Sequence, residues 1–202
     1  METKKAESPP RQRIVNAARK LFAANGFHAA TTAELASEAA VSVGQIYRLF
    51  KNKDEVILEI VQENIQRRVA EMDSIFETVD QGEWLVLDAF KAIAESSMTD
   101  SSVGLSFEIL AEAYRNPPVA ERLARLGTFY RDGVRRMASK VRPDLASDEL
   151  EAYVEIMLAC LIGLGHRPLL TPEVDVEQIC HATACLLMRA LGVAEQSSAM
   201  EL

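Results

Sequence analysis

Residues that break helices or favour strands are scarce in this chain of 202 residues. It holds 9 Gly and 7 Pro, enough to punctuate helices and too few for a loop-rich fold. Aromatics are 6% of the residues, β-branched runs are sparse, and no strand-like alternation extends beyond a few positions. Three cysteines give no disulfide framework, which fits a reducing cytoplasm. The three histidines, His28, His166 and His181, fall in no Ser-His-Asp, Cys-His or HExxH arrangement, and no Walker motif is present. No enzymatic activity and no cofactor is therefore expected. The longest apolar run, Ile156 to Leu164, is too short to span a bilayer. The opening METKKAESPPRQR has no apolar core of a signal peptide. A soluble, cytoplasmic protein without a membrane partner is expected.

What is abundant is Ala, Leu, Glu and Arg, with 49% apolar residues overall. That composition predicts an all-α protein with a sizeable core. The net charge is −8, but it is unevenly spread. Residues 1–53 carry nine basic side chains against four acidic ones, and the remainder carries 13 against 26. A basic head on an acidic body fits phosphate contact by the head alone, or chance clustering on a solvated surface.

Helix signals are densest between Thr31 and Lys53. Thr31 with Glu34, Ser42 with Gln45, and Asn52 with Glu55 each have capping-box spacing, and Val41 with Ile46 has that of a hydrophobic staple. These predict two short helices, about 32–39 and 43–49, joined by a tight turn. Ser8-Pro9 reads as cap and first residue of a preceding helix that ends at Asn25-Gly26, with Gly26 left-handed. Ile14, Ala18, Leu21 and Phe22 give that helix one apolar face, able to close a small core with Leu35, Ala36, Ala39, Ile46, Leu49 and Phe50. A short helix pair on a third helix is how a helix-turn-helix presents its second helix to a DNA groove.

Beyond it, a helix from Lys53 to about Val79 turns Val56, Ile60, Ile65, Val69, Met72 and Phe76 inward. Further helices are expected from Asp80-Gln81-Gly82-Glu83 to about Ser97, over about 102–115, and from Asn116-Pro117 to about Lys140. Ser147 caps an eighth, ended near Gly165 by His166-Arg167-Pro168. Thr171-Pro172 opens a ninth that ends near Leu191-Gly192.

The stretch Arg13 to Val61 closely resembles the TetR family of transcriptional repressors. Leu21, Phe22, Gly26, Phe27, Thr32, Leu35-Ala36, Val41-Ser42, Gly44, Ile46-Tyr47, Phe50 and Lys53 carry the match. One departure is Ala40, where the family has glycine in the turn. Phe107 to Leu123 also looks like a segment of the family's sensor domains. The resemblance implies a helix-turn-helix DNA-binding domain at 1–52, with a flexible arm, and a ligand-sensing and dimerisation domain at 53–202. It implies a ligand-responsive repressor that binds operator DNA as a homodimer and is released by a small-molecule effector of unknown identity. The alternative is a helical interaction or ligand-binding module without DNA binding.

Under that resemblance the third helix lies in the major groove and presents Ser42, Val43, Gly44 and Gln45. Gln45 suits bidentate bonding to adenine, in competition with its capping role, and Val43 suits a thymine methyl. Gly44 allows close backbone approach, or serves packing on the second helix. Tyr47, Thr32 and Lys53 match family phosphate contacts, with a buried core tyrosine as the alternative for Tyr47. Arg48 and Lys51 add charge, and Lys4, Lys5 and Arg11 form either a minor-groove arm or a solvated tail.

For the sensor half, the resemblance implies a pocket, with Trp84, Phe107, Glu108, Tyr114, Phe129, Tyr130, Tyr153 and Met157 as candidate ligand contacts. Glu108 and Glu155 either line it or face solvent. The eighth and ninth helices are apolar nearly all round, through Met157, Leu158, Leu161 and Ile162 and through Ala184, Leu187, Met188 and Leu191. Helices of that kind need burial on both sides, which a two-fold four-helix interface supplies. Cys180, His181 and Cys185, with Cys160 or His166, invite a metal reading. Two ligands on one helical face are too few for a closed zinc site, so no metal is expected.

Overall fold

The computed structural model describes residues 8–99, 103–170, 173 and 175–193, with the main chain only at 103, 104, 106 and 168–170. Lys4, Lys5, the Thr171-Pro172 opening and the tail beyond Val193 lie outside the described residues. Among those described there are nine α-helices and no strand: α1 (Pro10–Asn25), α2 (Thr32–Glu38), α3 (Val43–Leu49), α4 (Lys53–Asp80), α5 (Val86–Thr99), α6 (Val103–Ala113), α7 (Pro117–Val141), α8 (Ser147–Leu170) and α9 (Val176–Ala190). No helix among the described residues is long and apolar enough to cross a membrane.

Local chemistry sets most boundaries. The Thr31 hydroxyl accepts from the Glu34 amide while the Glu34 carboxylate takes the Thr31 N–H, so both halves of that capping box form. At Ser42 only the first half forms, with Oγ accepting from the Gln45 amide at 3.1 Å. Asn52 accepts from the Glu55 amide, and Glu55 reaches one residue further back than expected, to the Lys51 N–H.

Several expected ends move. Pro9, not Ser8, flanks α1, and no side chain caps it. Gly26 has the expected positive φ of 81°, but its ψ of 156° lies outside the left-handed helical well. α5 starts at Val86, because Gly82 turns the chain and the Asp88 carboxylate takes the Leu85 N–H. α8 continues through Pro168 to Leu170. Proline has no N–H, so this last turn is one ladder bond short. α9 begins at Val176, capped by Asp175.

Three helices end in the same hydrogen-bonded motif. The C″ amide bonds the C3 carbonyl and the C′ amide bonds the C2 carbonyl at α2 (Val41 to Ala36, Ala40 to Ser37), α4 (Glu83 to Thr78, Gly82 to Val79) and α9 (Val193 to Met188, Gly192 to Arg189). This arrangement requires a positive φ at C′. Gly82 and Gly192 supply it at 76° and 69°; at α2 the position falls to Ala40, with φ 52°. Ala40 is the sole non-glycine with positive φ among the described residues.

The chain divides into two compact units. The first holds the described residues up to Ile65 together with Gly104–Leu126, so the unit containing α1–α3 extends past residue 52. Its core joins Ile14, Ala18 and Phe22 of α1 to Leu35 of α2, Ile46 of α3 and Ile57 and Ile60 of α4, and further to Ile109 of α6 and Val119 of α7. The second unit holds Gln66–Val103 and the residues from Gly127 onward. There α5 packs on α8 and α9, and the Phe76 and Phe90 rings meet edge to face at 5.9 Å. Ala94, Met98, Leu164 and Cys180 form one buried cluster. Val69, Met72 and Phe76 of α4 are buried and Ile65 is partly so.

Candidate nucleic-acid interface and sensor residues

In the first unit α3 is a short helix with one buried face. Ile46 and, just beyond it, Phe50 are in the core, which turns the rest of the helix outward. Ser42, Val43, Gly44, Tyr47, Arg48 and Lys51 are exposed, and Thr32 and Gln45 are half-buried. Tyr47 is 57% exposed, so its ring is not core. Gly44 has no neighbour closer than 4.0 Å to an added Cβ, which leaves no packing demand for glycine there. The outer side of α3 therefore presents an amide, a small apolar group, a phenol and a cation, with a second cation, Lys51, just beyond the helix.

Several other described basic residues of the head are engaged by protein. Arg11 lies within α1, not in an arm. Its guanidinium pairs with both Glu59 oxygens at 2.9 Å, donates to the Leu49 carbonyl at 3.1 Å and sits 4.4 Å from the Phe50 ring centroid. The Glu59 bond raises its pKa further. Arg19 pairs with Glu63 and Lys20 with Glu38. Lys53 is also turned onto protein: its ammonium donates to the carbonyls of Phe27, His28 and Ala30 at 2.6, 3.2 and 3.0 Å. The charge surplus seen in the sequence thus overstates what is open to a phosphate.

Of the sensor candidates, Phe107, Glu108 and Tyr114 belong to the first unit and Trp84, Phe129, Tyr130, Tyr153 and Met157 to the second. Tyr114 is 93% exposed, and Phe107 and Phe129 are also exposed. Glu108 faces neither solvent nor a ligand cavity alone: its Oε2 accepts the Phe27 N–H at 2.7 Å. Met157 and Tyr130 are buried, and the Tyr153 hydroxyl donates to Glu149 at 3.3 Å. Glu155 pairs with Arg131 of α7 at 2.8 Å, beside Glu151, which Arg131 and Arg135 both engage. Trp84 lines a cavity of about 150 Å³ with Val79, Leu85, Val86, Leu87, Met188 and Val193, a mostly apolar wall.

A polar cluster that the sequence did not flag lies in the same unit. Arg68 donates to the fully buried Ser97 at 2.7 Å and to the Tyr130 hydroxyl at 3.4 Å, and Ser96 donates to Glu71 at 2.8 Å. Arg68, Glu71 and Ser96, with Met72, Ile75 and Ile93, line a void of about 10 Å³, room for one water. Its signal in sequence was weak: an arginine on the inward stripe of α4.

His181 and Cys185 approach to 3.6 Å. Among the described residues no three His, Cys, Asp or Glu are grouped to hold a metal ion. Cys180 is buried, which pushes its thiol pKa up.

Residues 14–60 match the family model described as bacterial regulatory proteins, tetR family. Over that segment the chain is similar to the TetR family of regulators. It is similar to the HTH-type transcriptional regulator UidR of Escherichia coli, 35% identical over 118 residues. That match covers 57% of this chain and 57% of UidR, little more than half of the relative's length. It is 26% identical to the HTH-type transcriptional repressor AcnR of Corynebacterium jeikeium over 156 residues, covering 74% of this chain and 78% of AcnR. Among solved structures, Salmonella enterica GusR superposes with a TM-score of 0.68 at 23% identity, over 93% of this chain and 98% of that one. FadR of Bacillus subtilis, in complex with stearoyl-CoA, gives a TM-score of 0.71 at 15% identity, over 89% and 98%. These two likenesses establish the shared fold.

Proposed function

We propose that this chain is a cytoplasmic homodimeric repressor of the TetR family, released from operator DNA when a small-molecule effector binds. The outward face of α3 carries the reading: an exposed Val43, Gly44, Tyr47 and Arg48 over a buried Ile46, with Lys51 just beyond the helix. On this reading residues 1–52 are the DNA-binding domain and 53–202 sense and dimerise. Val43 and Gln45 read bases, while Thr32, Ser42, Tyr47, Arg48 and Lys51 meet backbone phosphates. Gly44 gives the backbone room to approach.

The dimer surface we assign to α8 and α9. Each helix buries one face in its own unit and still exposes large aliphatics, with Ile162 at 52% and Leu186 at 54%. An exposed apolar face of that kind is characteristic of an interface. Two heads are also what a two-fold operator requires. The effector is assigned to the second unit, with Trp84, Tyr130, Tyr153 and Met157 as its contacts there. Neighbours of this fold carry ligands as unlike as stearoyl-CoA and choline, so effector chemistry follows from side chains and not from the fold. To release DNA, the effector must bind the DNA-incompetent state more tightly.

The test is selection of duplexes from a random pool by the full-length protein, followed by a gel shift across salt. A two-fold-symmetric consensus is expected, with affinity falling by orders of magnitude between about 50 and 200 mM salt. Gln45→Ala should relax one base position by about 1–3 kcal/mol. Failure to enrich any duplex would overturn the proposal.

A further inference from the structure

The loop between α1 and α2 is gripped from two sides by opposite charges. Lys53, the first residue of α4, places its three N–H donors on the carbonyls of Phe27, His28 and Ala30, with the ammonium 4.6 Å from the Phe27 ring centroid. An ammonium has three donors, so this set uses all of them. From α6, 81 residues away in sequence, Glu108 takes the Phe27 N–H. Its other oxygen lies 3.2 Å from where a Cβ on Gly26 would sit, so the approach depends on glycine at that position. Glu112 and Arg115 add contacts to His28 at 3.7 and 3.2 Å. One residue beyond Ala30 stands Thr31, the cap that starts α2.

We propose that Lys53 and Glu108 are positioning residues for operator binding: Lys53 acts by clamping loop 26–30 and not by meeting a phosphate, and Glu108 ties the loop, and through it α2 and α3, to α6. The inference rests on the operator reading above. Both peptide groups flanking Phe27 are polarised in the favourable sense, the N–H toward an anion and the C=O toward a cation, in a region where the Phe27 ring is buried. Such charge-assisted bonds are stronger than neutral ones and hold the loop in one shape. Any effector state that displaces α6 then pulls on the loop that leads into α2, with the Glu108 carboxylate as its polar link.

Lys53→Arg separates the two roles. Arginine binds phosphate at least as well as lysine, but its planar fork cannot place donors on three carbonyls gathered around one nitrogen. The full-length protein is tested on a duplex that the wild type has enriched. Lys53→Arg and Lys53→Met should each weaken binding at least about tenfold while the slope of log K on log salt stays as in the wild type. Lys51→Met, removing an exposed cation, should lower that slope by about one per protomer. Glu108→Ala should weaken binding and speed exchange of the Phe27 amide, and Glu108→Gln, which keeps an acceptor, should restore much of both. Wild-type-like binding by Lys53→Arg, with a reduced slope for Lys53→Met, would overturn the clamp in favour of phosphate contact. Should a variant fail to fold, the wild type still decides: a Phe27 amide exchanging as fast as an open loop leaves no clamp. If the wild type enriches no duplex, the operator reading fails, and the clamp is judged on exchange at Phe27.

Discussion

Replacing Ala40 by glycine should make this protein more stable. The position is C′ of the motif that closes α2, where the backbone has φ 52°. A left-handed conformation costs a residue with a Cβ about 1–2 kcal/mol. Glycine removes that strain but enlarges the unfolded ensemble, which offsets about 0.4–1 kcal/mol. The net gain for Ala40→Gly is then about 1 kcal/mol, or about 2–4 °C in Tm for a chain of this size. The same motif closes α4 with Gly82, where an added Cβ meets nothing within 4 Å. Gly82→Ala therefore isolates the backbone term and should destabilise by a similar amount. Gly192 is a poorer control, because its Cβ would lie 2.9 Å from the Arg142 guanidinium. Urea unfolding followed by far-UV circular dichroism, at one fixed protein concentration, measures both variants. If Ala40→Gly lowers the midpoint, or both substitutions leave it unmoved, the strain argument is wrong.

Two further outcomes follow from charge and exposure. The Glu34 carboxylate is held below its ordinary value of 4.5, chiefly by the Thr31 backbone N–H and then by the Thr31 hydroxyl. A depressed folded-state pKa gives stability that is present above the ordinary value and lost as pH falls through the depressed one. The gap in urea midpoint between wild type and Glu34→Gln should accordingly narrow as pH drops below 4.5, and a gap that widens would contradict the assignment. Leu186→Glu and Ile162→Glu should shift the protein toward monomer in analytical ultracentrifugation and weaken operator binding, with the helical content unchanged; dimers as tight as the wild type would move the interface elsewhere.

What was legible in the sequence was local. Thr31, Ser42 and Asn52 cap helices because their side chains bond amides three residues away, and such spacing can be read from letters alone. The apolar stripe of α1 and the inward set of α4 were legible for the same reason, whereas Ala40 stood out only against the family's glycine. Pro168 misled because a proline near a helix end reads as a terminator, while the folded chain tolerates one missing donor in its last turn. Thr171-Pro172 suggested a start for α9 that Asp175 supplies instead. In the candidate site, the exposed face of α3 follows from the burial of Ile46 and Phe50 and so was foreseeable. The engagement of Lys53 and Glu108 was not, because it joins residues 26 and 81 positions from the loop they hold. Neither the arm nor the solvated tail foresaw the pairing of Arg11 with Glu59, because nothing near Arg11 in sequence announces that partner.

The only tryptophan of the chain stands in the turn before α5, 41% exposed at the rim of a mostly apolar cavity. Its emission is therefore a private signal of the second unit. Melting of the helix-turn-helix unit would pass unseen by that fluorophore while far-UV circular dichroism recorded it. Coincident curves from the two probes would mean that both units unfold as one, and a lag between them would reveal a head that loosens while the body still holds.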